Sequence, residues 1–266
     1  MPPAAHLFPP RQVTTLPAGT EPMPTSKSLT VFFPAHNEEA NIGKLVEETH
    51  ATLEGRVRDF EILAVNDGST DGTRRILDEL EERFPEFRGI HHEVNQGYGG
   101  AVRTGFRSAT KDLVFFSDGD GQFDIAEIHK FLDAIDAQDA VLGYRINRQD
   151  PFHRKVFAKC WGFLIRCLFG FKIRDLDCAF KMFHRCDIES IEFETQGAMI
   201  TTELLAKLTQ RPGFRYSEIG VTHRPRLAGQ QSGGSLKVVL RAFRELFRMY
   251  GRLKTYRPPN RSTPGQ

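Results

Sequence analysis

Short apolar runs and amphipathic stretches alternate along roughly the first 145 residues of the chain. Runs of β-branched and aromatic residues predict strands at residues 30–33, 60–65, 89–94, 113–116 and 140–143. Between them, apolar residues at helical spacing predict helices at residues 38–53, 70–84, 101–109 and 125–137. This alternation predicts an α/β fold whose sheet is mostly parallel and covered by helices on both faces.

The two ends of the chain have a different composition. Residues 1–27 are rich in Pro, Thr and Ala and predict a disordered tail, and residues 253–266 predict a second one. One domain is expected over residues 28–234, followed by a basic amphipathic helix over residues 235–252. This helix either lies on an anionic membrane surface or docks on the core with a solvated basic face.

Composition and charge narrow the class of protein. The 266 residues carry a net charge of +2, which gives no reason to expect nucleic-acid binding. The four cysteines form no C-x-x-C pair, so reduced thiols are expected. No apolar stretch reaches the about 18 residues that suggest a membrane span, and no signal peptide is visible. These features favour a cytoplasmic protein.

Residues 117–122 carry the strongest chemical signal in the chain. They follow an apolar run and place two carboxylates, Asp118 and Asp120, beside glycines. Carboxylate oxygens are hard ligands for Mg²⁺ or Mn²⁺, and few are needed when substrate phosphates complete the coordination shell. Open α/β sheets bind ligands at the carboxyl ends of their strands. The stretch therefore predicts a metal–diphosphate site, with a solvated Gly/Asp-rich turn as the alternative.

Two further polar turns follow predicted strands. Asp67 could accept hydrogen bonds from a nucleobase edge or a ribose, or it could be an ordinary turn residue. Residues 95–100 are glycine-rich and precede a predicted helix, whose N-terminus could bind an anion. The Gly-Lys-Ser/Thr ending of a P-loop is missing, and no Gly-x-Gly-x-x-Gly follows the first strand. A P-loop protein and a nicotinamide enzyme are therefore disfavoured.

Taken in order, four motifs resemble those of the family 2 glycosyltransferases. They lie at residues 34–39, 65–73, 95–97 and 118–120. Later stretches are similar to the branch that contains dolichol-phosphate mannose synthase and related polyprenyl-phosphate sugar synthases, at residues 143–145, 175–181, 203–205 and 226–229. The resemblance implies inverting chemistry and the GT-A fold, which is Rossmann-like with a mixed, mostly parallel sheet.

The resemblance also implies roles for individual residues. The donor site would comprise Pro34, Ala35, Asn37, Glu38, Asp67, Gln96, Gly97 and Asp118. A Mg²⁺ or Mn²⁺ ion would be held by Asp118, Asp120 and Gln122. The catalytic group would contain Asp175, Asp177 and Arg226, with Arg145 also meeting an acceptor or donor phosphate. Glu203 would face the cleft, or would only cap a helix.

Two points in this set have alternatives. Asp175 and Asp177 could instead form a polar loop that caps a helix or pairs with Lys172 or Arg174. At residues 230–234 the chain departs from the Ser-Lys that is usual in this branch, which puts acceptor contacts there in doubt.

The implied activity is transfer of a sugar from a UDP- or GDP-sugar to a polyprenyl phosphate at the cytoplasmic membrane face. Peripheral attachment would come from residues 152–171 and 236–250. A first alternative is a soluble transferase with a hydroxyl acceptor, for which Asp175 or Asp177 would be the base. A second is a nucleotidyltransferase-like enzyme or a non-catalytic nucleotide-sugar-binding module.

Overall fold

The computed structural model describes residues 27–146, 152–170, 173–195, 197–225 and 236–253, together with residues 256 and 258. The two predicted tails therefore lie almost wholly outside the described residues. Within the described part, seven strands form one sheet in the order β3–β2–β1–β4–β6–β5–β7. In chain order they are β1 (Leu29–Ala35), β2 (Phe60–Asp67), β3 (Phe87–His92), β4 (Leu113–Phe116), β5 (Ala140–Ile146), β6 (Lys181–His184) and β7 (Tyr216–Thr222).

The strands are connected by helices and loops, and a last helix follows the sheet. The helices are α1 (Ile42–Leu53), α2 (Thr73–Arg83), α3 (Tyr98–Ser108), α4 (Ile128–Ile135), α5 (Phe152–Phe169), α6 (Arg185–Glu189), α7 (Ile200–Leu208) and α8 (Leu236–Leu253). A short 3-10 helix, Ile125–Glu127, leads directly into α4.

The sheet is mixed and mostly parallel, as predicted. Within the described part of the chain, β6 alone runs against its neighbours β4 and β5, and the other paired strands are parallel. Successive side chains of a strand point to opposite faces of a sheet. On β4, Phe116 packs edge-on against Phe106 of α3, whereas Phe115 packs against Phe131 of α4. Helices therefore cover both faces, and the predicted α/β fold is confirmed.

Pro34 lies inside β1, although the predicted strand ends one residue before it, at residue 33. Phe32 directs its carbonyl toward β4, where it accepts from the N–H of Ser117 at 3.2 Å. The backbone groups of residues i and i+2 in a strand point to the same side. The backbone nitrogen of Pro34 therefore faces the β4 side, as the backbone of Phe32 does. The pairing with β4 ends at Phe32 and Phe116, so no partner remains at Pro34 for the missing N–H. The strand can therefore continue through the proline.

Other differences concern the ends of elements. The predicted helix at 125–137 is divided into the 3-10 turn and α4, with Asp124 capping the start by accepting from the N–H of Ala126 at 3.3 Å. Helix α3 begins at Tyr98, three residues earlier than predicted, directly after Gly97 with its positive φ of 82°. Two whole strands, β6 and β7, are also absent from the prediction; the four residues of β6 carry no clear alternation.

Helices α5 and α8 pack on each other beside the core. Trp161 and Phe243 lie 5.0 Å apart between ring centroids, and Phe169 and Tyr250 lie 5.8 Å apart. Leu246, Met249 and Leu253 of α8 are buried as well. No described helix is long and apolar enough to cross a membrane.

Candidate active site

Three polar turns meet at one edge of the sheet. The parallel neighbours β1, β2 and β4 end at Ala35, Asp67 and Phe116, so the segments that follow them emerge side by side. Gly119 comes so close to β1 that a Cβ atom there would lie 2.8 Å from the carbonyl oxygen of Pro34. The glycine therefore lets the segment around Asp118 and Asp120 pack directly over the end of β1.

Asp118 is the centre of a cluster of charged and polar groups. The hydroxyl of Tyr98, at the first turn of α3, donates to its carboxylate. Burial, reinforced by the charge of Asp120, raises the pKa of Asp118 to about 7. The hydrogen bond from Tyr98 and the positive charges of Arg145 and Lys181 oppose this shift. Desolvation of the hydroxyl and the same carboxylate also raise the pKa of Tyr98, although 38% of the residue as a whole is exposed.

This pair of carboxylates fits a divalent cation. Two like charges brought together at a partly dehydrated site repel each other, and a metal ion between them would remove that repulsion. The described residues contain no group of three or more His, Cys, Asp or Glu side chains arranged to hold a metal alone. An ion held by Asp118 and Asp120 would take its remaining ligands from water and a substrate diphosphate.

Gln122, the third predicted metal ligand, has structural contacts. Its side-chain amide donates to the carbonyl of Arg224 at 2.9 Å, and its own carbonyl accepts from the N–H of Arg224 at 2.7 Å. Its backbone N–H donates to Asp120 at 3.1 Å. Gln122 thus connects the turn that follows β4 to the segment that follows β7, and orients Asp120.

Asp67 is anchored at the end of β2. Its Oδ1 accepts from Nδ1 of His92 at 2.7 Å and from the backbone N–H of Gln96 at 2.8 Å. Only 4% of the Asp67 side chain is exposed. Gly68 adopts a φ of +62°, and a Cβ atom there would lie 2.5 Å from the backbone nitrogen of Asn95. The turn after β2 and the segment at 95–97 are therefore packed directly on each other.

The segment after β1 is held in the same way. Asn37 has a left-handed φ of 57°, its N–H donates to Oγ of Ser69 at 2.9 Å, and its Oδ1 accepts from the N–H of Thr70 at 2.8 Å. Glu38 is buried, and its Oε2 accepts from Asn41 at 2.7 Å. Pro34 and Ala35, the last residues of β1, are buried next to them.

Arg145 and Asp175 form a two-point ion pair on the other side of the cluster. Nε of Arg145 donates to Oδ2 at 2.8 Å and Nη2 donates to Oδ1 at 2.7 Å. Arg174, one of the two alternative partners, contacts Glu218. Lys172, the other, lies outside the described residues. Hydrogen bonding to Asp175 raises the pKa of Arg145 despite its burial. Asp177 is exposed, and its charge acts on Tyr98 and Arg145.

Lys181 adds a fully buried cation beside these groups. Its Nζ donates to the carbonyl of Leu176 at 3.1 Å and lies 5.8 Å from the ring centroid of Phe116. Burial lowers the pKa of Lys181, and the negative charges of Asp175 and Asp177 act in the opposite direction. Cys178 is also buried, which raises the pKa of its thiol to about 11 and keeps it protonated at neutral pH.

The structure does not bring every predicted residue into this cluster. Glu203 is buried within α7, where it accepts from the N–H groups of Glu194 and Thr195 and pairs with Lys207 at 2.8 Å. These contacts give it a structural role in anchoring the 194–195 segment. Arg226 lies outside the described residues, as do residues 230–234.

Sequence reasoning did not assign roles to Tyr98 and His92. Tyr98 lies inside the glycine-rich segment at residues 95–100, so the sequence already places it near a predicted anion-binding site. His92 is found only through pairing of β2 with β3, which places it opposite Asp67.

The profile of Glycosyl transferase family 2 matches residues 30–191, more than half of the chain. The chain therefore belongs to this family, and it is a glycosyltransferase with the GT-A fold. The predicted family, fold and enzyme class are confirmed.

Two curated relatives are similar to most of the chain. The chain is 28% identical over 238 residues to a dodecaprenyl-phosphate galacturonate synthase of Rhizobium johnstonii, covering 87% of the chain and 70% of the relative. It is 31% identical over 216 residues to an undecaprenyl-phosphate 4-deoxy-4-formamido-L-arabinose transferase of Pectobacterium carotovorum, covering 80% and 64%. The matched part thus spans about two thirds of the length of each relative.

Solved structures agree on the fold. Glucosyl-3-phosphoglycerate synthase from Mycobacterium tuberculosis, in complex with Mn²⁺, UDP-glucose and phosphoglyceric acid, superposes with a TM-score of 0.65 at 18% identity, over 87% of this chain and 82% of that one. Mannosyl-3-phosphoglycerate synthase from Rubrobacter xylanophilus gives 0.65 at 18% identity, over 88% and 78%. At this identity the likeness shows the GT-A fold.

Proposed function

We propose that this glycosyltransferase moves a sugar, with inversion, from a nucleoside-diphosphate sugar to a polyprenyl phosphate. The observation that carries the proposal is the meeting of Asp67, Asp118 and Asp120 at one sheet edge, with the cation Arg145 beside them. Both curated relatives are named for a polyprenyl-phosphate product or acceptor, which supports the same acceptor class.

In this proposal the donor lies across the ends of β1, β2 and β4. Asp67 accepts a hydrogen bond from the base, and Pro34, Ala35, Asn37, Glu38, Gln96 and Gly97 line the base and ribose. Asp118 and Asp120 hold a Mg²⁺ or Mn²⁺ ion at the diphosphate. When bound, such an ion acts as a Lewis acid that stabilises the negative charge on the leaving nucleoside diphosphate. A structural neighbour carries Mn²⁺ and UDP-glucose together, which supports this choice.

The arrangement of Arg145 and Asp175 favours a phosphate acceptor over a hydroxyl. A phosphate oxygen is ionised at neutral pH and is already a nucleophile, so no strong general base is needed. Both oxygens of Asp175 accept hydrogen bonds from Arg145, so Asp175 orients the guanidinium and is not placed to take a proton. Arg145 then presents its remaining N–H groups to the phosphate, for which a planar guanidinium is well suited. Arg226 would serve the same anion.

Attachment to a membrane surface is assigned to α5 and α8. Phe163 and Phe247 are 64% and 58% exposed, which is unusual for large apolar side chains. Arg244 and Arg248 are exposed next to Phe247 on α8. An apolar side chain flanked by cations suits the interface of an anionic bilayer. We therefore assign a peripheral position on the membrane to the catalytic domain of residues 28–234 with its basic helix at 235–252.

The experiment is mass spectrometry of the products from purified protein with MnCl₂, a panel of UDP- and GDP-sugars and a short polyprenyl phosphate. The proposal predicts a polyprenyl-phosphate hexose and an equal amount of released UDP or GDP. A glycosylated hydroxyl acceptor would instead favour exposed Asp177 as the base. Release of a sugar 1-phosphate in place of UDP or GDP would indicate nucleotidyl transfer from the nucleotide sugar, and binding without turnover would indicate a nucleotide-sugar-binding module.

A further inference from the structure

The carboxylate of Asp67 offers two oxygens, and the fold uses them unequally. Both donors in the described structure, Nδ1 of His92 and the backbone N–H of Gln96, reach Oδ1, at 2.7 Å and 2.8 Å. A carboxylate has about four acceptor positions, two on each oxygen, so Oδ1 is fully occupied. None of the described residues donates to Oδ2.

His92 is fixed in this position. The exposed fraction of its side chain is 7%, and its Nε2 lies 2.9 Å from Oγ1 of Thr104 on α3. An ionised carboxylate only accepts hydrogen bonds, so Nδ1 of His92 is the protonated ring nitrogen and donates the hydrogen bond to Asp67. The second donor belongs to the backbone next to the close contact between Gly68 and Asn95. Occupation of Oδ1 is therefore built into the fold.

The two candidate bases place different demands on a carboxylate. Uracil has one ring N–H, at N3, which needs one acceptor. Guanine presents N1–H and the N2 amino group side by side, and together they need both oxygens of a carboxylate. With Oδ1 occupied, one of the two guanine donors would be buried without a partner. Such a loss weakens binding by roughly tenfold to a hundredfold.

We propose that His92 is a specificity-determining residue that leaves Asp67 only Oδ2 for the base, and that the donor is consequently a uracil nucleotide. The inference rests on the proposed function, in which Asp67 contacts the base of a nucleoside-diphosphate sugar. It goes beyond that function because it chooses between UDP and GDP.

The test is isothermal titration calorimetry of the full chain with UDP and with GDP at a fixed concentration of MnCl₂. The wild-type protein is expected to bind UDP at least about tenfold more tightly than GDP. Equal binding, or tighter binding of GDP, would overturn the inference while leaving nucleotide-sugar transfer intact. Binding of neither nucleotide would overturn the proposed function as well.

Two variants of His92 make the test specific for the mechanism. His92→Leu removes the side-chain donor and frees one position on Oδ1, so the preference for UDP should shrink to about threefold or less. His92→Asn keeps an N–H donor near the place of Nδ1, so it should retain most of the preference. An unchanged ratio in His92→Leu would contradict the assignment. Should circular dichroism show that His92→Leu does not fold, the affinity ratio of UDP to GDP still tests the inference in the other two proteins. The wild type must then prefer UDP, and His92→Asn must retain most of that preference.

Discussion

The guanidinium of Arg145 donates a hydrogen bond to each carboxylate oxygen of Asp175, at 2.8 Å and 2.7 Å. The two side chains are each 12% exposed. The pair joins the end of β5 to the loop that precedes β6, across the antiparallel step of the sheet. The same contact that holds this loop also fixes the direction of the arginine toward the carboxylate cluster.

Removing either partner of this pair should destabilise the protein. Arg145→Ala and Asp175→Ala each remove a two-point ion pair from a nearly buried site, which costs about 3 kcal/mol of unfolding free energy. The double variant should lose clearly less than the sum of the two, because both changes remove one interaction. Urea denaturation of the four proteins measures this coupling. Strictly additive losses would show that the two residues act independently.

Binding of Mn²⁺ should depend on pH through Asp118. Its folded-state pKa of about 7 is raised above that of an unfolded Asp, so its contribution to stability is present below about pH 4 and is lost as the pH rises through 7. A bound cation offsets the cost of the ionised Asp118 carboxylate in the folded protein, but it must compete with the proton for that carboxylate. MnCl₂ should therefore raise the melting temperature more at pH 8 than at pH 5.5. In Asp118→Asn this difference should disappear, and an equal shift of the wild type at both pH values would contradict the account.

Gly68 should be far less tolerant of alanine than a glycine with similar backbone geometry. Gly68 and Gly213 have φ values of +62° and +78°, but a Cβ atom would meet backbone at 2.5 Å only at Gly68. Gly213→Ala should cost about 1 kcal/mol, the strain of a positive φ. Gly68→Ala should cost at least about 2 kcal/mol more and should weaken nucleotide binding, since the 95–97 segment must move. Similar melting temperatures for the two variants would contradict the close packing.

Substitutions at two adjacent residues of α8 should distinguish its packing on the core from its binding to a membrane. Leu246 is fully buried and Phe247 is 58% exposed. Leu246→Asp should destabilise the protein by about 3 kcal/mol or more, because it buries a charge. Phe247→Asp should leave stability within about 0.5 kcal/mol but reduce sedimentation with phosphatidylglycerol vesicles. Vesicle binding of Phe247→Asp at the wild-type level would rule out this face as the attachment site.

Much of the fold and part of the site could be predicted from local patterns. The strand at 113–116 and the carboxylates after it are adjacent in sequence, and the structure places that strand at the predicted bounds, Leu113–Phe116. Strand β6 was not predicted because its register comes from β4 and β5, which lie 40 or more residues away in places. The contacts of His92 with Asp67 and of Asp175 with Arg145 likewise join distant segments. Glu203 was predicted to face the cleft from its motif position alone. That position does not say which way a buried helix faces, and Glu203 instead contacts the 194–195 segment.

The most direct measurement is ³¹P NMR of a short polyprenyl phosphate incubated with the protein, MnCl₂ and a UDP-sugar. The account predicts that the phosphate monoester signal of the lipid is replaced by that of a phosphodiester, together with release of UDP. Asp120→Ala should abolish this conversion, whereas Asp133→Ala, which removes an exposed carboxylate on α4, should not. A lipid phosphate that stays a monoester while the sugar is transferred to a hydroxyl group would contradict the proposed acceptor.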